Sequence, residues 1–300
     1  MISVVTTLYY SEKYIDDFYA RIESSVKEIT ADYEIIFVND GSPDQSLQKA
    51  LNLKKSDNRI KVIDLSRNFG HHNAIKAGLD YAKGDHVFLI DSDLEEEPEL
   101  ISEFYEKLKE KNAEVVYGVQ KNRAGGFLNI AFGHIFYLIF RWLCDFNYVK
   151  NVMTIRSMTR KYVDSIINFK ENQLEIYGLF FLAGFKQEKI MLSRVYKGST
   201  TYTFNKSIGV ALNSIISFSK KPLELIFLIG LITSIFSILY VLYIRSVYGV
   251  EVEGWISILL SIWFLGGVII SCLGVLGLYF SKIFLEVKRR PTYIVDNIYE

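Results

Sequence analysis

Two aspartates that follow an apolar run have the residue types and the spacing to hold a metal ion. Residues 86–91 (HVFLID) read as a buried strand that ends in Asp91-Ser92-Asp93, and Glu95 comes two positions later. A hard divalent cation on carboxylate oxygens can bridge the phosphates of a nucleoside diphosphate and stabilise its departure. We therefore predict a cation site, with Asp93 as its best ligand, Asp91 supporting the metal or touching a ribose, and Glu95 completing the set.

A simpler explanation competes for part of this acidic stretch. Carboxylates near the start of a helix stabilise its N-terminus, and Pro98 suits the first turn of a following helix. That explanation fits Glu96, Glu97 and Glu99. It fits the two aspartates less well, because they come directly after the strand.

Other strand ends could hold a base and a diphosphate. Asp40 ends the second apolar run within residues 38–42 (VNDGS), where Asp-Gly-Ser alone is ordinary turn chemistry. The first run ends near Thr7 and Tyr9, and the third is followed by Arg67. These ends offer a carboxylate, a hydroxyl or aromatic group, and a cation, which together would cradle a nucleotide.

The order of apolar and amphipathic runs predicts the fold class. Apolar runs alternate with helical patterns over residues 1–120, which favours an α/β fold with a mostly parallel sheet covered on both faces. Ligands of such sheets bind at the carboxyl ends of strands near the topological switch point, so Asp40 and Asp91 should share one crevice. The predicted strands cover 2–8, 33–39, 59–65, 86–91 and 113–119, and predicted helices cover about 11–29, 71–82 and the stretches after Pro43 and Pro98.

Two long apolar segments, residues 223–244 and 255–280, are each long enough to cross a bilayer. The loop between them carries Glu251 and Glu253, whereas basic residues lie outside the pair, so the positive-inside rule places both flanks in the cytoplasm. These basic residues are Lys220, Lys221, Lys282, Lys288, Arg289 and Arg290. No signal peptide is visible, so we expect an integral protein of a bacterial-type inner membrane with its N-terminal domain and both termini cytoplasmic.

Two further segments predict contact with the membrane surface. Residues 127–143 are apolar and aromatic, and we interpret them as an interfacial helix, with a buried core helix as the alternative. Residues 207–220 have the character of a second surface helix. The predicted organisation is a nucleotide-binding core over 1–120, an acceptor and interfacial part over 121–221, two spanning helices over 222–282 and a cytoplasmic tail over 283–300.

Composition narrows the class of protein further. The formal net charge of +0 gives no sign of a nucleic-acid surface. Cys144 and Cys272 are too few and too far apart for a disulfide framework or a zinc site. Neither a Gly-x-Gly-x-x-Gly nor a Walker sequence occurs, which disfavours a dinucleotide enzyme or a P-loop ATPase.

Three motifs and their order carry a resemblance to a known family. They are residues 38–42 (VNDGS), 67–70 (RNFG) and 91–94 (DSDL). Together they resemble the family-2 glycosyltransferases of GT-A fold. Residues 194–199 (RVYKGS) and the two C-terminal spans are similar to the branch that contains dolichol-phosphate mannosyltransferase and bacterial polyprenyl-phosphate glycosyltransferases. The resemblance implies metal-dependent transfer of a sugar from a nucleotide-diphosphate donor to a polyprenyl phosphate.

The resemblance assigns donor-binding roles to four residues. Thr7, Tyr9 and Asp40 would hold the nucleotide base, which favours uridine, and Arg67 would lie near the base or the diphosphate. One departure affects this part of the site. Relatives usually read Pro-x-Tyr-Asn-Glu at the first strand end, where this chain has residues 7–11 (TLYYS).

The resemblance also assigns catalytic and metal-binding roles. Asp93 would bind Mg²⁺ or Mn²⁺, and Asp91 would approach the ribose and the metal. Glu95 occupies a position where relatives often carry a metal-binding Gln. Arg194 and Ser199 would lie near the phosphates at the membrane mouth.

The acceptor side departs most from the family pattern. An arginine often found just after the fifth strand is replaced by Gln120, and basic residues on the following helix are replaced by Asn129 or Ile130. These positions help to grip the lipid phosphate in relatives. The basic residues of this chain that could substitute are Lys121, Arg123, Arg156 and Arg160.

The leading hypothesis is an inner-leaflet transferase that moves a sugar from a nucleotide diphosphate, favouring UDP, to undecaprenyl phosphate. Another membrane protein would then flip the lipid-linked product, and the glycine-bearing spans would allow self-association. The missing basic residues keep open transfer to a lipid-linked saccharide or another hydroxyl. The altered strand-end motifs keep open a non-catalytic subunit that binds a nucleotide sugar and scaffolds glycan assembly.

Overall fold

The structure, a computed structural model, describes residues 1–121, 151–171, 176–193, 216, 219–248 and 254–300. The chain divides into two compact units. The first unit comprises Met1–Ile130, Phe146–Thr201 and Arg289–Glu300, and the second comprises Ala131–Asp145 and Tyr202–Lys288. The four-part organisation with boundaries at 120, 221 and 282 stays a prediction.

The first unit is built on an eight-stranded sheet with the order β7-β5-β6-β4-β1-β2-β3-β8. Strands β1 to β4 pair in parallel, whereas β6 runs antiparallel to both β4 and β5, and β8 runs antiparallel to β3. The strands are β1 Ile2–Leu8, β2 Tyr33–Asn39, β3 Ile60–Leu65, β4 His86–Leu89, β5 Val115–Gln120, β6 Val152–Thr159, β7 Gln187–Leu192 and β8 Val295–Tyr299.

Helices cover the sheet because each presents an apolar stripe to it. In the first helix, Ile15, Phe18, Ile22 and Val26 recur at spacings of three and four and are all buried in the core. The described helices of this unit are α1 Ile15–Ile29, α2 Ser46–Ser56, α3 His71–Tyr81, α4 Leu100–Glu110, α5 Arg160–Ile167 and α6 Ile176–Leu182.

The chain order across the sheet creates a switch point. From β1 the chain proceeds to β2 and β3 on one side, and then crosses to β4 on the other side of β1. Loops leaving the carboxyl ends of β1 and β4 therefore diverge, which is where ligands bind in open α/β sheets. The residues after these two strands, from Tyr9 and from Ile90, lie at that point.

The sequence predicted the part of the sheet formed by β1 to β5 well and the part formed by β6 to β8 poorly. The five predicted strands and the helices between them are confirmed, with ends shifted by a few residues. Strands β6, β7 and β8 were not predicted. Their apolar stretches are short and are interrupted or flanked by charged residues such as Arg156, Lys189 and Asp296. Each of the three strands pairs with the edge of another strand of the sheet, and such tertiary context outweighs local strand propensity.

The second unit contains two long apolar helices, α7 Lys221–Tyr248 and α8 Trp255–Val287. Many large apolar side chains on them are exposed, including Phe227 and Trp263. Within the described residues, one stretch, Ser261–Val287, is long and apolar enough to cross a membrane. The predicted interfacial helix over 127–143 lies outside the described residues, as does most of 207–220.

Candidate active site

The carboxyl ends of β1 and β4 meet around one imidazole ring. His71, the first residue of α3, has Nδ1 at 3.2 Å from Thr7 Oγ1 and Nε2 at 3.6 Å from Asp91 Oδ1. A predicted donor-binding residue and a predicted metal ligand are thus brought together. His71 is not among the site residues predicted from the sequence, and only the fold places it between the two strand ends.

The acidic loop after β4 is held in a defined conformation. Asp93 Oδ1 accepts a hydrogen bond from the Glu95 amide at 3.0 Å. Leu94, between them, has a left-handed backbone (φ +58°), which is costly for a leucine, and its side chain packs against the hydrophobic core. Asp91, Asp93 and Glu95 are all half-buried, so their carboxylates stand at the solvent boundary where a ligand could reach them.

Ser92 ties this loop to the end of β1, a role that sequence reasoning missed. Its side chain is buried, with Oγ at 2.9 Å from the carbonyl oxygen of Thr7 and 3.0 Å from the hydroxyl of Ser11. The sequence did contain a signal for this role. Ser92 lies between two candidate metal ligands, and neighbouring side chains in an extended segment face opposite sides, so a ligand-facing Asp91 and Asp93 imply an inward-facing Ser92. Ser92 therefore positions both aspartates.

We expect Ser92→Ala to lower kcat/KM about tenfold, because one or two hydrogen bonds that fix the acidic loop are lost. The protein should remain folded, since alanine fits the same space. Steady-state kinetics at saturating metal would measure the change. Ser56→Ala is the matched control, because Ser56 is an exposed serine whose Oγ donates to the Leu53 carbonyl at 2.7 Å; equal losses in both variants would contradict the positioning role.

Asp40 anchors the turn that leads from β3 to α3. Its carboxylate is buried and accepts hydrogen bonds from the amides of Phe69 at 2.7 Å and Gly70 at 3.0 Å. Burial raises the pKa of Asp40, and the two amides offset only part of that rise. We call residues 66–70 the donor turn. It contains Arg67 and is held by Asp40, and both of these residues are predicted donor ligands.

Gly41 permits the close approach of the donor turn. It has φ +58°, and a Cβ atom there would lie 2.4 Å from the Asn68 nitrogen and 2.5 Å from the Arg67 carbonyl carbon. The backbone of the turn therefore passes directly over this glycine. The exposed Arg67 guanidinium lies over the Phe69 ring at 4.1 Å, where it can reach an anionic ligand.

Two exposed tyrosines line the other side of the β1 end. Tyr9 and Tyr10 pack edge to face with ring centroids 4.8 Å apart and are 49% and 61% exposed. Tyr10 has φ +54°, and its amide donates to Ser42 Oγ at 2.8 Å, which joins this loop to the turn after β2. The predicted role of Tyr9 in holding a base needs an accessible ring, and the ring is accessible.

Arg156 does not occupy the position that its predicted acceptor-binding role requires. It is 2% exposed, and its guanidinium lies 3.6 Å from the centre of the Phe180 ring. Its Nε and Nη2 donate to the carbonyl oxygens of Thr154 and Met153, both at 3.0 Å. The side chain is enclosed because α6 covers this face of β6. Its hydrogen-bonding groups therefore bind the protein interior and not a ligand at the surface. Arg160 is also engaged within the protein, since its guanidinium donates hydrogen bonds to the carbonyl oxygens of Ala82 and Gly84.

A buried polar layer lies beneath the acidic loop. Glu96, interpreted from the sequence as a helix-capping residue, is instead buried, and its charge acts on Arg156. Burial and, secondarily, the charge of Asp91 raise the pKa of Tyr177 to about 12. Its hydroxyl lies 2.9 Å from Thr154 Oγ1.

The predicted residues of the acceptor side are mostly beyond what the structure describes. Arg123, Arg194 and Ser199 lie outside the described residues, so their roles stay predictions.

The donor set fits a metal that is completed by a ligand. Across the residues that the structure describes, no group of three or more His, Cys, Asp or Glu side chains could hold a metal ion alone. Asp91 and Asp93 nevertheless offer hard carboxylate oxygens at the solvent boundary. Mg²⁺ is commonly held by one or two carboxylates together with substrate phosphates. These two carboxylates therefore fit a metal ion whose other ligands come from a bound substrate.

Comparison with known proteins identifies the family of this chain. The sequence model of Glycosyl transferase family 2 matches residues 3–177. A protein of Mycobacterium tuberculosis (strain CDC 1551 / Oshkosh) named "Putative glycosyltransferases" is 46% identical, over 99% of this chain and 88% of its own. The bactoprenol glucosyl transferase of Shigella phage SfV is 33% identical, over 99% of this chain and 98% of its own.

A solved structure shares the fold. Mannosyl-3-phosphoglycerate synthase from Rubrobacter xylanophilus superposes with a TM-score of 0.50 at 15% identity, covering 72% of each chain. The GT-A fold class expected from the motifs is thereby confirmed. Because the family model spans more than half of the sequence and the relatives align over almost all of it, the chain belongs to glycosyl transferase family 2.

Proposed function

We propose that this glycosyltransferase moves a sugar from a uridine-diphosphate donor to a polyprenyl phosphate, undecaprenyl phosphate in bacteria, at the cytoplasmic face of a membrane. The observation that carries the proposal is the 33% identity to a bactoprenol glucosyl transferase over 99% of this chain. That alignment includes the crevice and the apolar helices together. A shared acceptor explains why both parts are retained.

On the donor side, the proposal uses groups at the ends of β1, β2 and β3. The exposed Tyr9 ring would stack on the base, with Thr7 and Asp40 beneath it, and the Arg67 guanidinium would pair with the diphosphate. Mg²⁺ or Mn²⁺ held by Asp91 and Asp93, with Glu95 beside them, would neutralise charge on the departing nucleoside diphosphate. The exposure of Tyr9 and Arg67 suits these roles, whereas the buried Asp40 would act through the donor turn that it holds.

On the acceptor side, the nucleophile explains why a general base is not required. A phosphate monoester is largely ionised near neutral pH, since its second pKa is about 6. Such an oxygen needs positioning and charge neutralisation rather than proton removal. In-line attack on the anomeric carbon would invert its configuration. Arg123, Arg194 and Ser199 remain the proposed partners of the acceptor phosphate.

The membrane arrangement follows from charge placement. Helices α7 and α8 would span the bilayer, with the acidic 245–254 connection outside. Lys220 and Lys221 before the pair, and Lys288 to Arg290 after it, would face the cytoplasm with the first unit. A soluble nucleotide sugar and a lipid phosphate would then meet on one side.

Product analysis with detergent-purified protein tests the proposal. The protein would be incubated with Mg²⁺ or Mn²⁺, undecaprenyl phosphate and a panel of UDP- and GDP-sugars. We expect a chloroform-extractable, metal-dependent glycolipid from a UDP-sugar. Nucleotide-sugar binding with no lipid product would overturn the acceptor assignment.

A hydroxyl acceptor is the second candidate, and one observation favours it. The enclosed Arg156 removes one of the cations available to grip a lipid phosphate. Transfer to a lipid-linked saccharide, with none to undecaprenyl phosphate, would select this candidate. Steady turnover with either acceptor would exclude a purely non-catalytic subunit.

A further inference from the structure

The segment that follows α8 contributes an edge strand to the sheet beside the donor turn. We call residues 289–300 the tail segment. Within it, β8 pairs antiparallel with β3, with Val295 opposite Leu65 and Tyr299 opposite Val62. The amide of Ser66, the first residue of the donor turn, donates to the carbonyl oxygen of Ile294 at 3.0 Å. The tail segment therefore extends the ladder up to the residue before Arg67.

A second contact joins the tail segment to α3. The hydroxyl of Tyr293 donates to Asp80 Oδ2 at 2.6 Å. Asp80 belongs to the last turn of α3, and β3 and α3 are the two elements that the donor turn connects. The tail segment thus contacts both β3 and α3, the two elements that flank the donor turn.

The contacts continue to the residue beside Asp40. The Asn39 amide Nδ2 donates to Asp64 Oδ1 at 2.7 Å, and Asp64 lies opposite Asn297 in the β3–β8 ladder. Asp40 follows Asn39 and holds the far end of the donor turn through the amides of Phe69 and Gly70. The turn is consequently fixed from the β2 side by Asp40 and from the β8 side by the tail segment.

We propose that the tail segment is a positioning element of the donor site, which sets nucleotide affinity by holding the donor turn between β3 and α3. The inference rests on the proposed nucleotide-diphosphate donor and goes beyond it, because it assigns a binding role to a segment that follows the apolar helices. A strand that merely covered the β3 edge would protect the sheet and affect stability alone.

Two substitutions at opposite ends of the tail segment separate these roles. Tyr293 lies at the end near the donor turn. Glu300 lies at the other end, where its carboxylate Oε1 is 2.9 Å from Lys61 Nζ. Tyr293→Phe removes the hydrogen bond that joins the tail segment to the last turn of α3, and Glu300→Gln removes the ion pairs of Glu300 with Lys61 at 2.9 Å and Lys83 at 3.8 Å. Both leave the backbone ladder in place, so both full-length proteins should fold.

The test measures the Kd for UDP and GDP in the presence of Mn²⁺ by titration calorimetry, together with Tm. We expect Tyr293→Phe to weaken UDP binding about three- to tenfold and Glu300→Gln to leave it unchanged. Hydrogen exchange should also accelerate at the amides of Phe69 and Gly70 in Tyr293→Phe alone. Unchanged Kd values in both variants, or equal weakening in both, would overturn the proposal.

The wild-type measurement distinguishes a failure of the proposed donor class from a failure of the proposed role of the tail segment. Wild-type protein that binds neither UDP nor GDP would refute the proposed donor class and, with it, this role of the tail segment. Wild-type protein that binds UDP while Tyr293→Phe binds equally well would refute the role of the tail segment and leave the proposed function standing.

Discussion

Asp93→Asn is expected to lower kcat about 10³-fold or more while leaving the protein folded. Asparagine keeps an oxygen that can accept the Glu95 amide, which Asp93 Oδ1 accepts at 3.0 Å, so the loop conformation should persist. What is lost is the negative charge that would bind the cation. Removing a metal from a leaving group that carries several charges costs several kcal/mol of transition-state stabilisation, and each 1.4 kcal/mol is about tenfold in rate.

Two measurements check this expectation. Single-turnover kinetics with a UDP-sugar would give the rate of the chemical step, and Mn²⁺ titration followed by electron paramagnetic resonance would give metal affinity in the presence of UDP. Glu97→Gln is the matched control, since Glu97 is an exposed carboxylate on the same loop. Full activity of Asp93→Asn, or equal losses in the two variants, would rule out Asp93 as a metal ligand.

Gly41→Ala should lower kcat/KM for the donor about 10²-fold, mainly through a higher KM. The new methyl group would lie 2.4 Å from the Asn68 nitrogen, closer than any real contact, so the donor turn must move away. That movement would stretch the hydrogen bonds from Phe69 and Gly70 to Asp40. Hydrogen bonds to a charged group contribute roughly 1.5–3 kcal/mol each.

Gly184→Ala separates backbone strain from this collision. Gly184 has φ +70°, similar to the +58° of Gly41, but a Cβ there would meet only the Leu182 carbonyl oxygen at 3.8 Å. Both variants therefore carry the left-handed strain, and only one displaces the donor turn. Donor KM values and Tm should be compared for both. A donor KM that rises equally in the two variants would refute the steric argument.

The sequence carried enough information for the half of the site that lies on parallel strands. Strands β1 to β4 are apolar runs, and the polar residue after each run marks its carboxyl end, so Asp40 and Asp91 could be assigned to one edge. The bridging position of His71 could not be predicted, because it depends on the angle at which α3 leaves the donor turn. That angle is set by Gly41 and Asp40, which lie far from His71 in sequence.

Burial of charged residues was the main source of error. Arg156 lies between Ile155 and Ser157 in a segment that was not predicted as a strand, and a basic side chain is rarely fully buried. Its face of β6 is covered by α6, whose Phe180 packs on the guanidinium. Glu96 is enclosed in the same region. Such enclosure depends on how non-adjacent elements pack, which the local pattern does not encode.

The position of β8 in the chain also constrains how the protein is made. The ribosome synthesises β8 after α7 and α8, so β3 remains an open edge while both apolar helices emerge. N-terminal parts of a chain generally fold first during synthesis, and an open edge with unpaired amides and carbonyls readily pairs with another chain. The β3 edge is therefore covered, and the eight-stranded sheet complete, only once the apolar helices have been translated.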